Sequence, residues 1–566
     1  MQRTGLLLLI LFSLLQIQCR LSPTRDDPPI GLITEEAMVV SAHPLATQVG
    51  VDILRQGGNA VDAMVAVHHA LAVVYPAAGN IGGGGFMVAR QQDGTLHTLD
   101  FREKAPLAAD RDMYLDENGE VVPKLSWRGH LAAGVPGSVA GMQAAHDSLG
   151  RLPWRDLIQP AVDLAAKGFV LTKREARGLN GHLEALNEYS TQASNFTRKE
   201  KWAEGDSIFY PELALVMERI REQGRDGFYK GTTADLIVAE MERGKGIMTH
   251  EDLENYEAIW REPIVGDYRG FKIISMPPPS SGGIALLQLL EMVEPYPLSE
   301  YGRHSTEAVH LMVEAERRVY ADRAQHLGDM DYYDVPLTGL IEADYLTQRM
   351  ADFDPRQASD SDSISAGQPA PYESPQTTHY SIVDAEGNAV SVTTTINGGY
   401  GSCVVVGGAG FLLNNEMDDF SSKPGVPNAY GLLGAEANAI APGKRMLSSM
   451  TPTIVEKNDS LYMVVGTPGG STIITSVFQN ILNVLDFGMG MQASVAAPRF
   501  HHQWKPEWVS CDSNAFESSI IQQLTAMGHT IKPGGTRGRV DAILILPDGR
   551  LEGGADPRGD DAAGGY

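Results

Sequence analysis

Thr377-Thr378-His379-Tyr380 stands where a polar stretch of the chain gives way to alternating apolar residues. A threonine hydroxyl at the first position of a strand, behind a segment loose enough to bend, can attack the carbonyl just before it. The acyl group then moves from nitrogen to oxygen, and hydrolysis of that ester frees a new amino terminus. Thr377 would then carry a nucleophilic hydroxyl beside its own α-amino group, whose pKa of about 7.7–8.0 suits a general base near neutrality. His379 needs no catalytic part in this scheme, and a structural imidazole is its expected role. A threonine pair in a strand is otherwise plain β-propensity, so the surrounding elements have to decide.

Residues 351–376, ADFDPRQASDSDSISAGQPAPYESPQ, are nearly free of large apolar side chains. Such a stretch cannot bury enough surface to offset its ordering entropy, so it reads as a flexible connector, with a plain linker between two domains as the alternative. Beyond it, TTHYSIVDAEGNAVSVTTTIN predicts a β-hairpin turning at residues 384–388. Pairing symmetric about Glu386 sets Val383 opposite Ala389 and Thr377 opposite Thr395, so that two hydroxyls meet at the open end.

Upstream, the pattern from Ala46 predicts a helix stopped by Gly57-Gly58 and a second helix from about Asn59 to Pro76. His68 and His69 fall on the second helix, about 100° apart around its axis, which suits packing and not a shared metal. Residues 79–90, GNIGGGGFMVAR, lack the lysine-serine ending of a phosphate loop and run into a strand, so they predict a tight turn or a close backbone approach. Arg102 lies at the edge of the next strand, in DFREKAP. Helical patterns dominate residues 137–245, and MPPPSSGG at 276–283 precedes a helical stretch expected over 284–324.

The chain of 566 residues is 43% hydrophobic and 20% charged, an ordinary globular composition. Its net charge of -26 opposes phosphate backbones and anionic surfaces, so nucleic acid is not an expected partner. Arg3 and the apolar run at 6–17 are too short to span a bilayer and predict an export signal over residues 1–19, with the mature protein periplasmic or extracellular. Cys19 stands where a lipoprotein cysteine would, behind the bulky Gln18. Cleavage to a soluble form is the expectation and lipid anchoring the alternative. Cys403 and Cys511 form no disulfide framework and have no zinc spacing; one bridge or two inert thiols remain open.

The ordered segments DILRQGGNAVDA, NIGGGGF, DFREKAP, GDYRG, MPPPSSGG, YESPQTTHYSIVD, LLNNEMDDFS, RMLSSMTPT, GTPGGS and APRFHHQW together resemble the γ-glutamyltranspeptidases, also called glutathione hydrolases, of the N-terminal nucleophile hydrolases. The resemblance covers residues 31–566. It implies a four-layer αββα domain of the α/β (α+β) class, self-cleaved between Gln376 and Thr377 into a large subunit (31–376) and a small one (377–566) that stay together as a heterodimer. It implies glutathione and other γ-glutamyl compounds as substrates, amino acids or dipeptides as acceptors, and no cofactor or metal.

On the matching positions, Arg102 with Ser448 and Ser449 would hold the substrate α-carboxylate, the planar arginine fork suiting two parallel hydrogen bonds. Asp419, assisted by Glu416 and Asn397, would hold the α-ammonium. Gly469 and Gly470 would offer N–H groups to the oxyanion, and Thr395 would hydrogen-bond Thr377. Residues 421–431, SSKPGVPNAYG, read as a mobile cover with Tyr430 as its aromatic contact. Relatives of this fold act as cephalosporin acylases or poly-γ-glutamate transpeptidases, and a non-catalytic binder is a further alternative. Cys403 is a departure in a segment where small residues are usual; it reads as a buried bystander, with a reactive thiol near the site as the alternative.

Overall fold

The protein is described by a computed structural model over residues 29–369 and 379–566. Two antiparallel sheets of seven strands each lie face to face. The first runs Ala562–Gly565, Met38–Ser41, Tyr380–Val383, Ala389–Thr395, Gly84–Arg90, Leu96–Phe101, Ile259–Arg261. The second runs Leu32–Thr34, Leu551–Gly554, Asp541–Ile545, Ser460–Gly466, Thr453–Lys457, Phe271–Ser275, Ile264–Tyr268.

Side-chain alternation along the strands sorts the apolar residues into three layers. Val39, Met87 and Ala89 face helices Pro44–Arg55 and Ala60–Val74 outside the first sheet. Met38, Val40, Phe86 and Val88 meet Ile454, Val464 and Ile543 between the sheets. Helices Ser281–Val293 and Thr472–Leu485 cover the second sheet, with Thr306–His326 packed on Ser281–Val293. This is the expected αββα arrangement. Among the described residues no helix is long and apolar enough to cross a membrane.

Local signals act where they were expected. Asn59 caps the second helix, accepting from the Asp62 N–H while the Asp62 carboxylate accepts from the Asn59 N–H. The hairpin register is the symmetric one, with Val383 opposite Ala389 and Tyr380 opposite Val392. Thr377 and the pairing expected for it, like Gln376, Cys19 and the leader, lie outside the described residues.

Two readings change. The helical stretch expected over 284–324 is divided into Ser281–Val293, the short Leu298–Tyr301 and Thr306–His326, because Pro295 and Pro297 interrupt the first helix's continuation. The connector lacks helix and strand over 351–369, but this part is pinned. Trp504 Nε1 donates to the carbonyls of Ser361 and Ile364 at 2.9 Å each, Glu507 accepts the Ser361 N–H at 2.8 Å, and Asp322 accepts the Gly367 N–H at 2.8 Å. Backbone polar groups, which composition does not reveal, supply the anchorage.

Candidate active site

The hairpin strand Ala389–Thr395 ends on the glycine-rich segment. Thr395 pairs with Gly84, and a Cβ on Gly83 would sit 1.9 Å from the Thr395 carbonyl oxygen, so only glycine lets the chain cross there. Asn80 organises this crossing. Its Nδ2 donates to the Thr395 carbonyl at 2.9 Å, and its Oδ1 accepts from the Gly83 N–H at 3.0 Å and from Ser138 Oγ at 2.6 Å. Thr395 Oγ1 in turn accepts the Asn397 N–H at 2.6 Å.

Between the sheets, this end of the hairpin is polar. His379 Nε2 lies 2.6 Å from Ser381 Oγ and its Nδ1 3.3 Å from Thr393 Oγ1. Burial drives its pKa down to about 3, so the ring is neutral and structural. His68 and His69 are likewise buried, lowered to about 3 and about 4 by burial, and they pack.

Beside this end, four charged groups meet out of water. Arg102 is fully buried, and its Nη2 donates to Asp419 Oδ2 at 2.7 Å. Nη1 donates to Glu416 and, at 3.4 Å, to Glu103. Burial opposes the charge on Arg102, but Glu416, Glu103 and Asp419 outweigh it and hold its pKa above the ordinary value.

The carboxylates are in excess of the cation, and burial raises all three: Glu103 to about 7, Asp419 to about 6, and Glu416 well above its usual range. Glu103 Oε1, Glu416 Oε2 and Asp419 Oδ1 are buried with no hydrogen-bond partner among the described residues. An ammonium offers three donors and a positive charge, which is what these oxygens lack. The Arg102 fork, expected to lie open for a ligand carboxylate, has one terminal nitrogen on Glu416 and the other on Asp419.

Ser448 and Ser449 are fully buried next to MPPPSSGG. Ser281 Oγ donates to the Ser448 carbonyl at 2.7 Å, and Arg323 Nη2 lies 3.5 Å from Ser449 Oγ, with its Nε on Ser281 Oγ at 3.0 Å. Burial lowers Arg323 to about 10, and no carboxylate lies within 4.0 Å of it among the described residues. The serine pair therefore has a buried cation behind it.

Gly469 and Gly470, at φ 145° and 56°, lead into helix Thr472–Leu485, whose first amides carry the positive end of the helix dipole. Tyr430 lies over them: a Cβ on Gly470 would be 2.7 Å from its ring. Its hydroxyl donates to the Asn397 carbonyl at 3.1 Å, and its ring meets Trp127 edge-on at 5.7 Å. Asp418 fastens this cover, accepting from Ser126 Oγ at 2.6 Å and from the Ala429 N–H at 3.0 Å.

Asn397, at φ 64°, points its amide at the Asn415 carbonyl, 3.0 Å away. Of the expected site residues, Arg102, Glu416 and Asp419 thus form one cluster, while Thr395, Asn397 and Tyr430 are linked through backbone and cover.

Asn80, Glu103, Arg323 and Asp418 were not foreseen. Glu103 carried one legible signal, a second charge directly after Arg102. The other three depend on contacts between distant segments.

Cys403 and Cys511 are buried free thiols, and burial raises both pKa values, which disfavours the thiolate. His310, Glu314 and His529 bring ligand atoms within 4.8 Å of one another, a grouping invisible to sequence spacing. His310 Nδ1 and His529 Nε2 instead share a hydrogen bond at 2.7 Å, and Glu314 is held by Arg317 and Arg318, so the trio is a packing cluster.

The sequence profile of the family described as gamma-glutamyltranspeptidase matches residues 46–566. A glutathione hydrolase proenzyme of Escherichia coli strain K12 is 47% identical over 535 residues, 94% of this chain and 92% of its own. Among solved structures, a cephalosporin acylase from Bacillus halodurans matches with a TM-score of 0.85 at 27% identity, over 97% of this chain and 98% of its own. A Helicobacter pylori gamma-glutamyltranspeptidase matches 61% of this chain and 97% of its own at 43% identity, with a TM-score of 0.57.

Proposed function

The chain belongs to the γ-glutamyltranspeptidase family, and from that premise we propose an enzyme that cuts itself between Gln376 and Thr377 and then cleaves glutathione and other γ-glutamyl amides. The observation that carries the reading is the set of three buried, unpartnered carboxylate oxygens around Arg102. A site with this surplus of carboxyl groups and unsatisfied oxygens suits an amino-acid head group with its α-ammonium. It disfavours a glutaryl group, which has the carboxylate but no ammonium to satisfy those oxygens. On this ground the acylase alternative is second. Poly-γ-glutamate transfer would use the same head group.

Maturation would leave a large subunit, residues 31–376, and a small one, 377–566, associated through the shared sheets. In the cycle, Thr377 Oγ attacks the γ-carbonyl while the Thr377 α-amine takes its proton. Ser448 and Ser449, backed by the buried Arg323, hold the α-carboxylate, and Arg102 joins them only as its fork is released from Glu416 and Asp419, which turn with Asn397 to the ammonium. The N–H groups of Gly469 and Gly470 face the developing oxyanion, where one such donor typically contributes about 2.7–4 kcal/mol.

The leaving amine departs with the proton, and a γ-glutamyl ester on Thr377 remains. Water then releases glutamate, or the amine of an amino acid or dipeptide takes the group. Thr395 steadies the nucleophile, and Tyr430 covers the site. The basic, apolar leader supports export to the periplasm or beyond.

Mass spectrometry of purified protein incubated with glutathione tests the whole reading. Two fragments, the second starting at Thr377, together with glutamate and cysteinylglycine are expected. A single uncut chain that releases no product supports the non-catalytic binder.

A further inference from the structure

The segment APRFHHQW, residues 497–504, has no part in the reaction proposed above. Its short strand Phe500–His501 runs beside helix Thr472–Leu485, and the chain then breaks at Trp504, whose φ of 64° is rare for a residue with a side chain. The Trp504 indole, donating to the Ser361 and Ile364 carbonyls at 2.9 Å each, holds that turn. Gln503 is thereby set against the cover.

Gln503 Nε2 donates to the Tyr430 carbonyl at 3.3 Å, and a Cβ on Gly431, itself at φ 75°, would lie 3.5 Å from that nitrogen. With its nitrogen so engaged, the amide presents its oxygen to His501, so His501 Nε2, 2.8 Å away, carries the hydrogen. Burial lowers the His501 pKa to about 4, so the ring holds one proton and its Nδ1 is an acceptor. Thr475 Oγ1 donates to that Nδ1 at 2.9 Å, and Thr475 stands in the first turn of the helix that follows Gly469 and Gly470. One directed chain of hydrogen bonds thus runs from the helix to the cover.

A second tie reaches the same turn. Tyr320 OH donates to the Ser471 carbonyl at 2.5 Å, and its ring meets His501 edge-on at 5.5 Å. His501 is therefore fixed by a ring on one flank and by its two hydrogen bonds.

We propose that His501 and Gln503 are positioning residues that register the cover, through Tyr430, to the oxyanion turn at Gly469 and Gly470, so that a γ-glutamyl donor is retained in a closed site. The ring of Tyr430 already lies over Gly470, but such packing sets little direction, whereas a hydrogen bond does. Asp418 and Asn397 tie the cover toward the head-group cluster and the hairpin; Gln503 adds a tie toward the oxyanion helix. The inference rests on the γ-glutamyl hydrolysis proposed above.

Gln503→Glu provides the test. It keeps the length and the oxygen that His501 needs, but it turns the donor into a second acceptor facing the Tyr430 carbonyl. Deuterium exchange of peptides spanning residues 421–431 and hydrolysis of a γ-glutamyl anilide are measured on purified full-length protein at pH 8.

The cover should exchange about 3- to 10-fold faster, the size expected for the loss of one hydrogen bond, while peptides from the two sheets stay unchanged. The anilide KM should rise by a similar factor with kcat changed less than about 2-fold. Gln503→Met, of like length with neither donor nor amide oxygen, should loosen the cover as well, and exchange can be read on cut or uncut chain if a variant fails to mature. Unchanged exchange over 421–431, exchange raised evenly through the sheets, or an unchanged anilide KM in a matured variant would each overturn the proposal. A wild type that hydrolyses no γ-glutamyl amide faults the functional reading instead, and the exchange result still decides the tie.

Discussion

Arg102 and Asp419 are joined by a hydrogen bond of 2.7 Å from Nη2 to Oδ2, both side chains being out of contact with water. The two are unequal partners. Asp419 is one of three carboxylates around a single guanidinium, so removing it leaves Arg102 compensated, whereas removing Arg102 leaves three buried acids without their cation.

The first prediction follows from that asymmetry. Arg102→Ala should destabilise the fold by about 3–5 kcal/mol, read as a large drop in Tm. Asp419→Ala should mature normally yet lose a charged hydrogen bond to the substrate ammonium, about 1.5–3 kcal/mol or on the order of 10- to 100-fold in kcat/KM. Equal damage to maturation and turnover in Asp419→Ala would make its role structural.

Thr377→Ala should remain one polypeptide and be inactive. Thr377→Ser keeps a hydroxyl and should still be cut. Gel analysis with end-group sequencing decides, because an active protein with no fragment beginning TTHYS contradicts the assigned nucleophile.

Asn80→Ala should leave the Thr395 carbonyl and the Gly83 N–H unsatisfied inside the protein, at a cost of about 1–3 kcal/mol for each buried group. The end of the hairpin loosens, so cutting at Thr377 should slow along with a lower Tm. A Tm loss with an unchanged maturation rate would show that Asn80 serves the fold alone.

The acid limb of the pH profile should appear in KM. Glu103 and Asp419 have raised pKa values, about 7 and about 6, so they take up protons and lose charge as pH falls through that range. A bound ammonium favours the ionised form, hence protons compete with substrate and KM should climb from pH 7 to pH 5. On the alkaline side kcat should rise as the Thr377 amine, with an ordinary pKa of about 7.7–8.0, becomes unprotonated. A KM that is flat between pH 8 and pH 5 would exclude the cluster as the ammonium site.

Much of the fold was legible because it depends on near neighbours in the chain. Asn59 with Asp62 makes a cap from residues three apart, and a turn at 384–388 fixes Val383 opposite Ala389 without outside help. The glycines at 83–85 announced a close approach, though not what they approach. Asn80 looked like one more loop residue; its value comes from Thr395 and Ser138, segments distant from it in the chain. The connector misled for a similar reason. Its side chains are polar, as seen, but within its described part the backbone at Ser361 and Ile364 is held by Trp504 and Glu507.

The sequence by itself determined the hairpin register, the layered αββα fold and the family, because these rest on residue type, hydrophobic alternation and short-range geometry. Only the tertiary structure decided that Arg102 spends its fork on Glu416 and Asp419 and that Glu103 joins them. Those outcomes depend on which strands lie side by side and which charges are stripped of water together, and both are properties of the folded arrangement of distant segments.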